Sequence, residues 1–286
     1  MSSLRAALLG AWAFAATASP AYALDYVLGG GVGADDSNGR SLAGLVDVGL
    51  TESTFVTLTA AVSDADTVTS NIETRSYDLT ISQDFEPFSF SLGAGRWGDD
   101  DLIESDDLRA RIAVDVGAWR FGIDGERRDI ELVFQIVPIG DFDGRRITAG
   151  VNGDGFGGNV RYRGDDGWSV SLRGMTWDYD RNVDALALFD LTRRVNPTTL
   201  TLAGALRDSS YLATAEWPIG DHLVGIELGR DELAIGDLVV ESATVLWTIP
   251  SSARTDLELS LGYSESDDGD GAFYASVFVY FFGGSK

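Results

Sequence analysis

The sequence predicts an all-β protein: a transmembrane antiparallel up-and-down β-barrel of about 16–18 strands. Two observations predict this fold class. Apolar and polar residues alternate along most of the chain, as at 74–84, 107–117 and 255–264, and the runs last about 9–11 residues, enough for a tilted strand to cross a bilayer. In addition, no stretch carries the 3.6-residue apolar period of an amphipathic helix over three turns.

The N-terminal residues 1–23 have the features of a secretory signal peptide, which leaves 24–286 as a single barrel domain. Arg5 precedes an apolar run from Ala6 to Ala16, and Ala21-Tyr22-Ala23 forms a small-x-small cleavage site. The apolar run is too short for a spanning helix, which needs about 18 apolar residues.

We therefore expect the mature protein to begin at Leu24 and to fractionate with the outer membrane. Mass spectrometry of the protein purified from cell envelopes checks both points. An intact Met1 terminus, or recovery from the soluble periplasm, would contradict this prediction.

The strands are predicted from the breaks between alternating runs. We expect them at 24–33, 40–50, 54–63, 74–84, 88–96, 107–117, 119–126, 129–137, 145–152, 158–164, 167–177, 185–194, 198–206, 210–217, 222–230, 238–248, 255–264 and 272–282. With the N-terminus in the periplasm, even-numbered connections such as Gly117-Ala118 and Gly220-Asp221 are short turns, and odd-numbered ones are longer and rich in acids. The tight outer connection Arg127-Arg128 and the long inner one at 138–144 are exceptions.

Tryptophans near strand ends fit a membrane protein, because the indole ring suits the headgroup zone. We expect one ring of interfacial tryptophans at the inner turns and a second at the outer loops. The inner ring consists of Trp119, Trp168, Trp217 and Trp247, and the outer ring of Trp97 and Trp177.

The composition excludes several kinds of site. The chain has no Cys and a single His, His222, so it has no disulfides, no Cys-ligated metal and no thiol nucleophile. His222 and Asp221 are expected in an inner turn, hydrogen-bonded to their neighbours. A net charge of -24 argues against a nucleic-acid partner. We expect no enzymatic activity, no cofactor and no metal.

The last predicted strand carries Tyr274, Ser276, Phe278, Tyr280 and Phe282 on one face. This pattern resembles the terminal strand of Gram-negative outer-membrane β-barrel proteins, and the architecture of the mature chain is porin-like. The resemblance implies Sec-dependent export, the outer membrane of a Gram-negative cell as location, and three partners: membrane lipid, lipopolysaccharide and the barrel-assembly machinery.

Charged residues occupy many inward positions of the predicted barrel. A barrel of 16–18 strands is too wide for side chains to fill, so a water-filled lumen is expected. The candidate pore-lining residues are Arg109, Arg111, Asp115, Arg120, Asp124, Glu126, Arg161, Arg163 and Arg173. Arg194, Arg207, Asp47, Asp78, Glu131, Glu216, Asp256 and Glu258 also fall at inward positions.

An acidic segment precedes Arg109 and Arg111. If it folds inward, it forms a constriction loop whose acids face the arginines, an arrangement that resembles the third outer loop of general porins. We favour the simpler interpretation, a solvated outer loop beside arginines that pair with neighbouring acids. The candidate constriction residues are Asp99, Asp100, Asp101, Glu104, Asp106 and Asp107.

Two functions remain. The first is a porin-like outer-membrane channel for passive diffusion of small hydrophilic solutes or ions. The alternative is a structural or interaction barrel whose acidic outer loops bind divalent cations, lipopolysaccharide or a partner, without transport. The glycine-rich acidic segments 152–155 and 267–271 offer oxygen ligands but lack the full calcium-loop spacing. The sequence leaves open whether three barrels form a homotrimer. The outward face of the predicted barrel is apolar all the way round, so no part of it is distinguished as a trimer interface.

Overall fold

The computed structural model describes residues 25–36, 38–66, 71–99, 103–135, 146–181, 206–234, 238–267 and 271–284. The strands are β1 (Tyr26–Asp35), β2 (Arg40–Gly49), β3 (Thr54–Asp66), β4 (Asn71–Phe85), β5 (Phe88–Asp99), β6 (Ile103–Val116), β7 (Trp119–Gln135), β8 (Arg146–Arg163), β9 (Ser169–Tyr179), β10 (Arg207–Ile219), β11 (His222–Leu233), β12 (Val239–Ser252), β13 (Thr255–Ser266) and β14 (Gly271–Gly283). Among the described residues, no helix has the length and apolar character needed to cross a membrane. The predicted signal peptide lies outside the described residues and stays a prediction.

The strands form one closed barrel in which each strand pairs antiparallel with its sequence neighbours and β1 pairs with β14. The predicted fold class is confirmed, but the ring has 14 strands rather than 16–18. Strand β7 combines two predicted strands, and so does β8. The predicted strands 185–194 and 198–206 lie outside the described residues except for Leu206, and β9 pairs directly with β10.

The two ends of the barrel differ in the length of their connections. At one end the strands are joined by the short segments 50–53, 86–87, 117–118, 164–168, 220–221 and 253–254. At the other end lie all the longer connections, including 136–145 and 180–206. The two predicted exceptions disappear, because 127–128 is inside β7 and 136–145 joins β7 to β8 at the outer end. Short turns mark the periplasmic end of bacterial barrels.

Glycine is required at two of the short turns. Gly117 and Gly220 both have φ of +62°, in the left-handed region that disfavours residues with a side chain. A Cβ atom at either position would meet nothing within 4 Å. The requirement is therefore conformational rather than steric.

The outward face is apolar near the periplasmic end and charged beyond it. The outward-facing residues Arg96, Arg127 and Arg230 each lie eight residues from the periplasmic end of their strand, and no described strand has an outward-facing charge closer to that end. Eight residues at about 3.3 Å each, tilted by about 40°, span about 20 Å, close to the apolar band of outer-membrane barrels. We call this charge-free zone the lipid belt.

Tryptophans form an interfacial ring at the periplasmic end only. Trp119, Trp217 and Trp247 are outward-facing and exposed, and Trp119 packs edge-to-face on Tyr162 with ring centroids 4.8 Å apart. The prediction of an outer tryptophan ring is wrong. Trp177 faces inward and is 6% exposed, because its ring packs against an arginine inside the barrel. Trp97 also lies on the inward face, in register with Ser105.

Candidate functional site

Inward-facing arginines are confined to one side of the lumen. Alternation along each strand separates inward positions from the exposed apolar residues of the lipid belt. Among the described side chains, every inward-facing basic residue lies on β6 to β10. We call this set the arginine wall: Arg109 and Arg111 on β6, Arg120 and Arg128 on β7, Arg161 and Arg163 on β8, Arg173 on β9 and Arg207 on β10.

At mid-height, two arginines share one carboxylate. Asp124 is buried and accepts a hydrogen bond from Arg111 Nε at 2.5 Å, and Arg173 Nη2 lies 3.7 Å from the same oxygen. Asn159 Nδ2 donates to the second oxygen of Asp124 at 3.0 Å. Both arginines are more than 40% exposed to the lumen. One carboxylate cannot neutralise two guanidinium groups, so this cluster carries net positive charge.

Arg109, next to this cluster, forms an ion pair with Asp78. Its partner lies on β4, two strands away across the glycines of β5. A Cβ atom at Gly93 or Gly95 would stand 3.5 Å from Arg109 Nη2. The small residues of β5 thus let a β6 side chain reach a β4 carboxylate.

Near the periplasmic end, the arginines pair with neighbouring acids. Arg120 contacts Ser89 and lies 3.5 Å from Asp115. Arg161 Nη2 donates to Glu216 at 2.9 Å, and the Ser169 hydroxyl donates to the same carboxylate oxygen at 2.7 Å. Arg163, the last residue of β8, is exposed at the lumen mouth.

Towards the outer end, the arginine wall becomes buried. Arg128 Nε donates to Glu126 at 2.8 Å, and each side chain is 7% exposed. The Arg128 guanidinium lies 4.4 Å from the Trp177 ring centroid. The prediction that Arg128 belongs to a turn is wrong. The alternation that places Asp124 and Glu126 inward also places Arg128 inward, two residues further along β7.

The other side of the lumen carries acids and aromatic rings. We call Asp47, Glu227, Asp256 and Glu258 the acidic wall; they face inward on β2, β11 and β13. In the ring of 14 strands, β1 lies seven strands from β8, so its neighbours β2 and β13–β14 lie opposite the arginine wall, whereas β11 is next to β10. Thr57 Oγ1 donates to Asp47 at 2.9 Å. The inward residues predicted from the sequence do not include Glu227, although alternation with the exposed Ile226 and Leu228 places it at an inward position of β11.

The C-terminal strand contributes the aromatic part of this opposite side. The register places Tyr274, Phe278 and Tyr280 inward, whereas Phe273 and Phe281 are exposed on the outward face. The Phe278 ring packs over Gly29 and Gly31 of β1, where a Cβ atom would overlap it. The glycines of β1 therefore make room for aromatic rings inside the barrel.

Inward side chains at the outer end are closely packed. Ile130 and Val151 have no exposed surface, and neither do Ser105, Ser264 and Ala272 on other strands. These residues come from two parts of the ring, the neighbouring strands β6 to β8 and the neighbouring strands β13 and β14. These five side chains are covered by other protein atoms, so they do not line the water-filled lumen predicted from the sequence.

The predicted constriction segment is mostly strand rather than loop. Asp99 ends β5, whereas Glu104, Asp106 and Asp107 belong to β6. Glu104 and Asp106 face outward beside Arg96, with Asp106 Oδ1 3.9 Å from Arg96 Nε. Asp107 faces inward and accepts a hydrogen bond from Ser105 at 2.6 Å. Asp100 and Asp101 lie outside the described residues.

The described members of this segment therefore do not form a loop folded into the lumen. Strand pairing continues past the lipid belt, where outward charges are solvated, and the alternation sends successive acids to opposite faces. Glu131 departs from its predicted inward position for the same reason, because it continues β7 on the outward face. Arg194 lies outside the described residues.

The glycine-rich acidic segment at 152–155 is part of β8 rather than a loop. Its Asn152 donates to Asp180 from the backbone at 2.9 Å and from the side chain at 3.0 Å, and these bonds lower the pKa of Asp180. Within the described ranges, no three acidic or histidine side chains are grouped to hold a metal ion. Residues 268–270 of the second segment lie outside those ranges.

His222 lies at the periplasmic end of β11, at the turn predicted for it. Its Nδ1 accepts a hydrogen bond from Trp247 Nε1 at 3.3 Å, and the two ring centroids are 5.8 Å apart. The side chain is thus in contact with the interfacial aromatic ring rather than with a serine nucleophile.

Comparisons with known proteins agree with this architecture. OmpT, an outer membrane protein of Vibrio cholerae, superposes with a TM-score of 0.51 at 10% identity, covering 91% of this chain and 96% of that one. The fold is that of an outer-membrane β-barrel. A loop L8 deletion mutant of OmpT gives a TM-score of 0.50 at 10% identity, covering 91% and 98%. The KdgM porin gives 0.44 at 10% identity, covering 89% and 98%. No family model and no curated protein matches the sequence.

Proposed function

We propose that the protein is a non-enzymatic channel for passive diffusion of small hydrophilic solutes and ions across the outer membrane. The observation that carries the proposal is the polarity of the lumen, in which the arginine wall faces the acidic wall. A barrel with only a structural role has no need for ion pairs with partly exposed arginines, such as Arg111–Asp124 and Arg161–Glu216, along its inner face.

The selectivity of this channel follows from the charge balance. The chain has 45 acidic residues and 21 basic ones, and its outer connections are rich in acids. Acids at the mouth attract cations within about a Debye length, an effect that salt screens at about 1 M. We expect a mild preference for K⁺ over Cl⁻, strongest at low ionic strength, with the arginine wall opposing it.

Planar-bilayer recordings test the channel and its selectivity. We expect ion conductance from the folded protein, and a reversal potential shifted further towards K⁺ in the double variant Arg109→Ala, Arg111→Ala. The shift follows because the substitutions remove two positive charges from the lumen, leaving Asp78 without its ion-pair partner and Asp124 with Arg173 alone. The control is Arg127→Ala, whose side chain faces outward and lies 3.9 Å from Asp154.

Three results of these recordings would contradict different parts of the proposal. Folded protein without any conductance contradicts the channel and leaves the structural barrel with acidic outer loops. Conductance with anion selectivity keeps the channel but shows that the arginine wall outweighs the acidic mouth. An equal shift in the Arg127→Ala control would mean that the selectivity does not arise in the lumen.

A further inference from the structure

The carboxylates of the acidic wall have no basic partner among the described residues. None of the ion pairs within the described ranges includes any of its acids. On the arginine wall, by contrast, most guanidinium groups lie beside a carboxylate. A cation that enters the lumen therefore finds carboxylates on the acidic wall that no described arginine neutralises.

Two aromatic rings lie beside two of these acids. In the register of β13 and β14, Asp256 is opposite Tyr280 and Glu258 is opposite Phe278. The Tyr280 side chain also hydrogen-bonds to Glu258. The rings of Phe278 and Tyr280 are in contact, with centroids 4.7 Å apart and planes inclined by 34°. We call these four residues the aromatic–carboxylate patch.

The glycines of β1 orient the rings of the patch. The Phe278 ring occupies the space above Gly29 and Gly31, and a Cβ atom at Gly29 would stand 3.3 Å from Cδ1 of Tyr280. The backbone of β1 thus covers one side of the Phe278 ring. All four side chains of the patch are half-buried, so part of their surface is open to the lumen. An open ring face attracts cations, because it carries the negative part of the aromatic quadrupole.

Rings and carboxylates are close enough to act on one cation. Side chains directly opposite on antiparallel strands have Cβ atoms about 5 Å apart, and a cation interacts with a ring within about 6 Å of its centroid. A cation above Phe278 is therefore within reach of Glu258. In the described part of the chain, inward-facing basic residues begin at β10, three strands from β13 in the ring, so no arginine competes for the patch.

We propose that this patch binds the ammonium group of organic cations, and that these cations are a preferred class of solute for the channel. The inference rests on the proposed channel function and names its substrate class. An alkylated ammonium group carries positive charge on an apolar surface. The carboxylates match the charge and the ring faces match the apolar surface, a combination that a wall of acids alone does not offer.

Block of the K⁺ current by choline, a quaternary ammonium ion, tests the patch in planar bilayers. Choline should reduce the current in a concentration-dependent way. Its neutral tert-butyl analogue, in which carbon replaces the charged nitrogen, should not. Phe278→Leu should weaken the block about fivefold, because it keeps an apolar side chain but removes the ring. Glu258→Gln should weaken it at least as much, because it removes the charge and keeps the shape.

Glu227→Gln is the matched control. It removes one charge from the acidic wall at a position whose cross-strand partners are Thr214 and Thr244 rather than aromatic residues. It should leave the choline block nearly unchanged. An equal weakening in Glu227→Gln would mean that diffuse charge attracts choline, and it would overturn the patch. A block that persists unchanged in both Phe278→Leu and Glu258→Gln would overturn it as well. Heat-dependent gel mobility verifies that each variant is folded.

A binding measurement separates this inference from the channel itself. Saturation-transfer NMR of the choline methyl protons detects contact with the folded protein in detergent without any current. Choline binding that Glu258→Gln weakens, in a protein without conductance, would contradict the channel but keep the patch. Conductance without choline block and without choline binding would keep the channel and overturn the patch.

Discussion

Replacing Arg128 with Met is expected to destabilise the barrel by about 3–5 kcal/mol, because removing one member of a buried ion pair leaves the other charge uncompensated. Arg128 and Glu126 are both 7% exposed, and their contact is 2.8 Å. Met keeps the unbranched apolar stem but loses the guanidinium group, including its contact with Trp177. Urea unfolding in lipid vesicles, followed by tryptophan fluorescence, measures the free energy.

The adjacent residue gives a matched control. Arg127 is 65% exposed on the outward face, and its nearest carboxylate, Asp154, is 3.9 Å away. Arg127→Met should change the free energy of unfolding by about 0–1 kcal/mol, as for exposed pairs in general. Equal costs for the two substitutions would contradict the burial of Arg128.

A double variant distinguishes the cost of losing the ion pair from the cost of leaving Glu126 buried without Arg128. Buried ion pairs replaced on both sides by apolar residues often cost little. Arg128→Met combined with Glu126→Leu should therefore be more stable than Arg128→Met alone, a non-additive result that a double-mutant cycle quantifies. A further loss of stability in the double variant would mean that Glu126 is stabilised by other groups.

Sequence alone predicted the fold class and most strand positions because the bilayer imposes a simple pattern. Within the lipid belt, every outward position is uncharged and inward positions are mostly polar, so the period of two is visible at segments such as 74–84. Turns such as Gly117-Ala118 interrupt that pattern, and the positive φ at Gly117 favours glycine there. The strands in the periplasmic half of the barrel could therefore be predicted from the sequence.

The strand boundaries in the outer half of the barrel could not be predicted in the same way. Past the lipid belt, outward residues such as Asp129 are charged and inward residues such as Ile130 are apolar and buried. The two faces exchange their polarity, so the point of exchange within one strand looks like a connection between two strands. Arg127-Arg128 in β7 and Asn152–Gly155 in β8 were interpreted as connections for this reason, and the predicted strand number was too high. Nothing local in the sequence distinguishes a solvated strand from a solvated turn.

The site shows a similar limit. Alternation placed Arg111, Asp124 and Arg173 at inward positions, but their contacts depend on the register of β6 to β9. Asp124 receives Arg111 from one neighbouring strand and Asn159 from the other, and Arg173 from one strand further on. Sequence spacing does not fix these partners, because a shift of one residue would send each side chain to the opposite face.

An arginine placed on the outward face of the lipid belt should destabilise the barrel. Ile81 is 50% exposed on the outward face of β4, four residues from the periplasmic end of its strand and so near the middle of the belt. Ile81→Arg should destabilise the barrel by about 2–4 kcal/mol, the cost of an arginine facing lipid near the midplane.

The next residue, Ser82, is half-buried and faces inward, in register with Ser91. Ser82→Arg should cost no more than about 1 kcal/mol, because its guanidinium group stays in contact with the polar lumen. Unfolding in vesicles of one lipid composition compares the two variants at almost the same depth. Equal costs would mean that the faces of β4 are assigned incorrectly, and a larger cost for Ser82→Arg would mean that the lumen at this height is closed to water.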